Sequence, residues 1–252
     1  MGKSLLGRPM DNPPRLSFHA SRLSRFLWWV AGGLVGLNLV VQFRAYGTGN
    51  YKVEGLFKFL HLDVENNLPT FFATLLLLLA AGLLATIARL ERRRRAVGAW
   101  NWIVLATGFL VMSADEAISL HERLNEPIRR LLSGSGGRHG WLFFAWTIPG
   151  LAVVTTLGLV FLKFLFRLPA RISRAFVLGG TLYVSGIIGM ELICGRYAEI
   201  HGVFNLTYSL LATVEESLEM AGVIVFVRAL LVYLADTYGE LKIDFGAQAA
   251  KN

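Results

Sequence analysis

Long apolar runs separated by short polar or basic segments make up most of this chain. There are six such runs, at 26–43, 70–88, 100–121, 141–162, 175–195 and 206–234. Because a helix rises about 1.5 Å per residue, about 20 residues cross a hydrocarbon core of about 30 Å. The pattern predicts an all-α fold, an integral membrane bundle of six transmembrane helices. These helices form a single domain, 26–234, between a basic arm at 1–25 and a polar tail at 235–252.

Composition supports a membrane protein and argues against a nucleic-acid-binding one. The chain is 54% hydrophobic and 17% charged, whereas a soluble domain carries about 25% charged residues. The net charge is +8, but the basic residues lie between the apolar runs, which is typical of topology signals. The expected partners are therefore the bilayer and its anionic lipid headgroups at the cytoplasmic face. Cys194 is the single cysteine, so an intramolecular disulfide and a cysteine-rich metal module are both excluded.

The distribution of Lys and Arg predicts the orientation of the bundle. The arm, the second-to-third loop, the fourth-to-fifth loop and the tail hold 16 of them, and the three intervening loops hold 8. Loops rich in Lys and Arg stay on the cytoplasmic side, so both termini should be cytoplasmic. The expected location is the bacterial inner (cytoplasmic) membrane. Small residues of the fifth run favour close helix approach and would also suit a homo- or hetero-oligomer: Gly179, Gly180, Gly186 and Gly189.

A different pattern lies between the first two apolar runs. Over residues 50–62, apolar side chains recur at helical spacing, at Val53, Leu56, Phe57 and Leu60. This pattern predicts a short amphipathic helix on the bilayer surface. Farther along, Pro69 is suited to the first turn of the second transmembrane helix, and Asn67 is suited to its N-cap.

Acidic residues interrupt three of the apolar runs, at Asp115, Glu116, Glu191, Glu215, Glu216 and Glu219. A charge within a bilayer costs about 2.5–3.5 kcal/mol on insertion scales, so such residues point to a function. With both termini cytoplasmic, all six acids fall in the outer half of the membrane. No Lys or Arg lies at their depth, and three rim arginines (Arg44, Arg123 and Arg196) cannot neutralise six acids. The balancing charge is then metal ions, protons or a cationic substrate; the alternative is a purely structural arrangement of rim arginines and protonated acids.

The residue types define a candidate site for a divalent metal cation. Carboxylates favour calcium, magnesium or manganese, and histidine ligands also admit iron or zinc. The Glu-x-x-His pairs of di-iron bundles are absent, and on one continuous helix Glu116 and His121 would lie on different faces. The candidate metal ligands are Asp115, Glu116, His121, Glu191, Glu215, Glu216 and Glu219. The candidate residues at the mouth of the site are His61, Asp63, Glu65 and Glu122.

Three functions are compatible with this pattern. The leading one is an outward-facing, membrane-embedded carboxylate and histidine site that binds a metal cation, in an enzyme acting on a lipid or lipid-linked substrate. The second is a cation or proton transporter that uses the same acids as a ladder, although the inner half of the bundle offers few polar residues to continue it. The third is a structural subunit of a membrane complex that docks through the glycine-rich fifth helix and the 50–62 segment.

Overall fold

The computed structural model describes residues 20–49, 54–133 and 140–239, and these ranges are helical with no strand. Most of the predicted basic arm, the end of the tail and the start of the surface helix (50–53) lie outside the described residues. The helices are α1 (Ala20–Thr48), α2 (Glu54–Leu60), α3 (Leu68–Arg93), α4 (Ala99–Ile118), α5 (Leu120–Ser133), α6 (Thr147–Arg167), α7 (Ala170–Val184), α8 (Glu191–His201) and α9 (Leu206–Tyr238). A π-helical turn, Ser185–Met190, joins α7 to α8.

Six helical segments in the described ranges are long and apolar enough to cross a membrane. They are α1, α3, α4, α6, the continuous rod Ala170–His201 and α9. The predicted all-helical fold with six candidate membrane spans is confirmed. A short helix, α2, does lie between the first two spans. Its position on the bilayer surface and the cytoplasmic location of the termini stay predictions.

The last helix, α9, forms the centre of the bundle. Ile224, Val227 and Leu230 have no accessible surface, because α1, α3 and α7 pack around them. A helix that is apolar on all sides is expected in the interior of a bundle. Since the candidate acids Glu215, Glu216 and Glu219 are on this same helix, their environment is set by its neighbours.

Glycines bring α7 and α9 into backbone contact. A Cβ atom at Gly222 would lie 2.6 Å from the carbonyl oxygen of Gly179 and 2.7 Å from the backbone nitrogen of Tyr183. At Gly186, in the π-helical turn, a Cβ would lie 2.7 Å from Cγ of Glu219. Gly179 and Gly186 therefore do allow the close approach expected of them, whereas Gly180 and Gly189 face open space and do not. The contact holds the acidic stretch of α9 directly against the π-helical turn.

An aromatic layer fills the bundle on the far side of these acids. The rings of Phe109 and Phe226 stack with their centroids 4.7 Å apart. Trp102 lies 5.0 Å from Phe164 and 4.9 Å from Tyr233, again between ring centroids. Phe226 follows Glu219 by seven residues, which is about 10 Å along a helix. The interior beyond the acids, toward the end of α9, is therefore packed with aromatic side chains.

A buried carboxylate joins the end of α3 to the end of α9. Glu91 is 9% exposed, and its Oε1 accepts hydrogen bonds from the hydroxyl groups of Tyr233, at 2.9 Å, and Tyr238. The guanidinium of Arg94 lies over the ring of Tyr238, 4.1 Å from its centroid. The basic stretch 89–95, which by sequence is only a topology signal, thus also fastens two helices together.

Removing this carboxylate should destabilise the protein. Glu91→Ala leaves two tyrosine hydroxyl groups without their acceptor, and we expect a loss of about 1–3 kcal/mol in the free energy of unfolding. Thermal melting in detergent measures the change. The neighbouring exposed residue provides the control, since Arg92→Ala should stay within about 0.5 kcal/mol of the wild type. Equal melting temperatures for the two variants would contradict a fastening role for Glu91.

Candidate functional site

One cavity of about 60 Å³ collects most of the acidic residues of the bundle. Its walls come from the loop before α3, from α4, from the start of α5, from α7, from the π-helical turn and from α9. The lining residues are Asp63, Glu65, Met112, Asp115, Glu116, His121, Glu122, Tyr183, Ile187, Ala212, Glu215, Glu216 and Glu219. Nine of the eleven residues singled out by sequence are in this list; Glu191 and His61 are not. Neither Lys nor Arg lines the cavity.

The wall formed by α4 and α5 depends on a break at Ser119. This residue adopts a left-handed conformation, with φ 51° and ψ 48°. One oxygen of Asp115 accepts a hydrogen bond from the backbone N–H of His121, and the other lies 2.8 Å from Nδ1 of the same residue. The apolar run 100–121 is therefore not one continuous helix, because Asp115 captures the N–H group that would continue it. The break brings Glu116 and His121 to the same cavity, whereas an unbroken helix would have placed them on different faces.

The imidazole of His121 is held from a second side by Trp146. The two ring centroids are 4.7 Å apart, and Trp146 is 6% exposed. Its indole Nε1 donates a hydrogen bond of 2.7 Å to Glu191. Glu191 is not itself a lining residue; it reaches the lining through Trp146, which packs on His121, and through a side-chain hydrogen bond with Glu215. The sequence offered no signal for this role of Trp146, which reads as one more aromatic residue of an apolar run.

The acidic field shifts the pKa of titratable groups at the mouth of the cavity. Desolvation, followed by the charges of Glu191, Glu122 and Glu65, raises the pKa of Asp63 to about 7. Burial and the charge of Glu122 also raise the pKa of Glu65. Burial lowers the pKa of His121, but its hydrogen bond to Asp115 and the surrounding carboxylates outweigh burial, so the net shift is upward. These shifts all favour positive charge or bound protons at the mouth.

Deeper in the cavity, the charges that face Glu216 and Glu219 are those of other carboxylates. Glu116 and Glu191 lie close enough for their charges to act on both residues. Both side chains are half-buried and line the cavity. In the part of the chain that the structure describes, neither forms an ion pair with Lys or Arg. The rim residue Arg196, a candidate neutralising charge, pairs instead with Glu199 at 2.7 Å.

The lining carboxylates are spread around the cavity walls. Among the described residues, no group of three His, Cys, Asp or Glu side chains is placed so that it could hold a metal ion. The proposed set of metal ligands is therefore not assembled as a coordination sphere in these side-chain positions. Binding of a metal would require Glu side chains to rotate inward.

The loop that carries Asp63 is anchored by a buried polar network that the sequence analysis missed. Asn38 and Gln42 are fully buried on α1, one helical turn apart. Both donate hydrogen bonds to Oγ1 of Thr213, at 2.9 and 3.0 Å, and Oδ1 of Asn38 accepts the N–H of Leu62 at 3.2 Å. Two amides four residues apart inside an apolar run were a visible signal. His61, predicted at the mouth, belongs to this network, since its Nε2 lies 3.4 Å from Nε2 of Gln42.

The other end of the same loop is fixed by the predicted helix cap. The side chain of Asn67 accepts a hydrogen bond from the backbone N–H of Thr70 at 3.1 Å, and Pro69 lies in the first turn of α3. The predicted capping role of Asn67 is confirmed. Its amide also donates to the carbonyl oxygen of His61 at 2.6 Å. The mouth of the cavity is thus a fixed loop, held by α1 on one side and α3 on the other.

The region that forms this cavity is also the region that defines the family. The model described as "Domain of unknown function (DUF8692)" matches residues 27–234. The chain belongs to this family. The match begins in α1 and ends in α9, so it includes every element that lines the cavity. Comparisons with curated proteins and with solved structures give no match.

Proposed function

We propose that this protein binds a small cation, in the first place a divalent metal ion, in the acidic cavity. The observation that carries the proposal is the composition of the lining, which holds eight carboxylates and no Lys or Arg. Carboxylates this close destabilise one another unless protons or a cation lie among them. A cavity of about 60 Å³ has room for roughly four water-sized positions. That volume suits a partly hydrated ion and is too small for a bulky organic cation.

The spread of the carboxylates is compatible with this proposal. Like charges move apart when nothing positive lies between them, and glutamate side chains change rotamer without moving the backbone. On α9, Glu215 and Glu219 are four residues apart and Glu216 lies beside them, so one helix brings three carboxylates to one wall. Rotations of these side chains would be enough to bring oxygen ligands to an ion.

A binding or catalytic site has more support than a transport path. The aromatic layer around Phe109 and Phe226 occupies the interior directly beyond Glu219. An ion that left the cavity in that direction would have to pass stacked rings with no polar group to replace its water. A transporter would need to open this layer, and nothing in the packing of these rings favours an opening.

Among cation-binding functions, an enzyme that acts on a lipid or lipid-linked substrate agrees best with the residues beside the cavity. His121 and Glu122 open α5, and the side chains of Leu120, Leu124 and Leu131 on the same helix are exposed. An amphipathic helix with such an apolar side lies at the boundary of headgroups and acyl chains. A lipid headgroup would therefore meet the cavity where α5 begins.

Thermal melting with and without chelator tests the cation proposal. An ion that binds only the folded protein stabilises it by about 2.7 kcal/mol at a hundredfold excess over Kd. We expect a chelator to lower the melting temperature, added divalent ion to restore it, and the Glu216→Gln, Glu219→Gln double variant to lose this response. Asp236→Asn is the control, because Asp236 is an exposed acid at the opposite end of the same helix.

The alternative, a scaffold without a bound ion, predicts a different result in the same experiment. If the acids are protonated parts of a scaffold, the chelator changes nothing, since no ion is removed. Glutamine is nearly isosteric with a protonated glutamate, so the double variant would then melt at or above the wild-type temperature. That outcome would overturn the cation proposal.

A further inference from the structure

A groove of about 530 Å³ lies on the surface of the bundle near the start of α1. Among the described residues, its lining comes from α1 alone: Arg25, Trp28, Trp29, Gly32 and Gly33. Trp28 is 45% exposed and Trp29 is 80% exposed. A Cβ atom at Gly32 or Gly33 would meet no atom within 4 Å. The two glycines thus form an open floor beside two indole rings, and the groove shares no residue with the acidic cavity.

The lining residues are arranged along α1 in the order of the parts of a phospholipid. Arg25 directly precedes the apolar run 26–43, so its charge lies where headgroups meet hydrocarbon. Tryptophan is enriched at the same level of a bilayer, because its ring is apolar and its N–H is polar. Gly33 follows Arg25 by eight residues, which is about 12 Å along a helix. One end of the groove therefore suits a charged headgroup, and the other end suits an acyl chain.

The positive charge of Arg25 is available to a ligand. Its Nε donates a hydrogen bond of 3.2 Å to the backbone oxygen of Ser21. Within the described residues, Arg25 forms no ion pair with Asp or Glu. Arg22 is exposed one helical turn earlier on the same side of α1. A guanidinium presents several N–H donors in a plane, which matches the oxygens of a phosphate. The charge of the groove is thus complementary to that of an anionic phospholipid.

A second copy of α1 suits this groove less well. Gly32 and Gly36 have the spacing that lets two membrane helices approach closely. Copies of one protein have the same orientation in a membrane, so two α1 helices related by a two-fold axis would be parallel. A crossing at Gly32 would then bring Arg22 and Arg25 of both copies together, and juxtaposed like charges oppose association.

From these observations we propose that the groove on α1 binds one anionic phospholipid of the surrounding bilayer. The phosphate contacts Arg25, and an acyl chain lies over Gly32 and Gly33 beside the two indole rings. This lipid site is separate from the cation site proposed for the acidic cavity, and neither depends on the other.

Lipid binding to the full-length protein in detergent tests the proposal. Native mass spectrometry measures the affinity for phosphatidylglycerol and for phosphatidylcholine with the same acyl chains. We expect the wild type to bind one phosphatidylglycerol about fivefold more tightly than phosphatidylcholine, the effect of one arginine beside an anionic headgroup. Arg25→Gln should remove this preference. Gly33→Leu fills the floor of the groove and should lose the bound lipid of either kind.

Two matched variants provide the controls. Arg92→Gln removes an exposed arginine at the end of α3, and Gly82→Leu fills an equally open glycine of the same helix. Both should bind lipid as the wild type does. Leucine forms helices better than glycine, so both leucine variants should keep the helical signal of the wild type.

Three results would overturn the proposal. The first is wild-type binding of phosphatidylglycerol by either Arg25→Gln or Gly33→Leu. The second is an equal loss in a test variant and its control, which would indicate diffuse attraction to the whole protein. The third is a wild-type dimer that disappears in Gly33→Leu while lipid binding is unchanged, which would make a second copy the occupant of the groove.

Discussion

We expect alanine in place of Gly222 to lower the free energy of unfolding by at least about 3 kcal/mol, at the upper end of the range for overpacked interiors. The added Cβ would lie 2.6 Å from the carbonyl oxygen of Gly179 and 2.7 Å from the backbone nitrogen of Tyr183. Both neighbours are backbone atoms, so no side-chain rotation relieves the contact and α7 must move away from α9. Unfolding of the detergent-solubilised protein, followed by loss of helical signal, measures the effect.

The matched control is Gly180, a glycine on the facing helix α7. A Cβ at Gly180 would meet no atom within 4 Å, and alanine is a better helix former than glycine by up to about 1 kcal/mol. Gly180→Ala should therefore be as stable as the wild type or slightly more stable. A similar loss of stability in both variants would show that the backbone contact between α7 and α9 does not hold the bundle together.

The same helix contact links the stability of the bundle to the geometry of the cavity. Gly186 lies in the π-helical turn, and a Cβ there would approach Cγ of Glu219 at 2.7 Å and the carbonyl oxygen of Glu215 at 2.9 Å. π-Helical turns are frequent at functional sites, because the extra residue reorients the side chains around it. Here the turn lets the backbone pass close to the side chain of Glu219 and to the backbone of Glu215. Substitutions along this contact should thus change the cavity and the fold together.

The parts of this molecule that could be predicted from sequence are those that depend on length and hydrophobicity alone. Six apolar runs long enough to cross a bilayer can hardly form anything but spanning helices. Length and topology place Asp115, near the end of α4, and Glu215, in the first half of α9, in the same half of the bundle, and both line one cavity. Glu91 lies in a charged segment, where sequence gives no hint that two tyrosines of α9 bury it.

The details of the site could not be predicted, because they depend on single hydrogen bonds between side chains and backbone. Ser119 is not a glycine, and no proline follows it, so nothing in the sequence marked the end of α4. The left-handed turn forms because Asp115 offers two acceptors to His121. Trp146 and Glu191 meet only after α6 and the rod that contains α8 have packed. Asn38 and Gln42 were the exception, since polar residues one turn apart in an apolar run could have been recognised.

His61 is expected to contribute a loss of stability as the pH falls through its titration range. Burial lowers the pKa of His61 from 6.5 to about 4. The residue is 4% exposed, its Nδ1 has no hydrogen-bond partner in the structure as described, and its Nε2 lies 3.4 Å from the amide nitrogen of Gln42. An amide N–H cannot stabilise an imidazolium, so the folded protein keeps this ring neutral.

The direction of the effect follows from which state binds the proton. Between pH 6.5 and about 4, the unfolded chain protonates His61 and the folded chain does not, so the contribution of His61 to the free energy of unfolding falls as pH falls. The shift corresponds to at most about 3 kcal/mol, fully lost once the pH is below the folded pKa. Asp63 and Glu65 have raised pKa values and act in the opposite direction, because they take up protons more readily when folded.

Melting temperatures of wild type and His61→Gln across this window isolate the histidine, since both proteins share the two acids. The free energy of unfolding of the wild type, taken relative to His61→Gln, should fall as the pH falls across this window, and the exposed-site variant His201→Gln should follow the wild type. Parallel profiles for wild type and His61→Gln would mean that the buried ring accepts its proton as easily as a histidine in water.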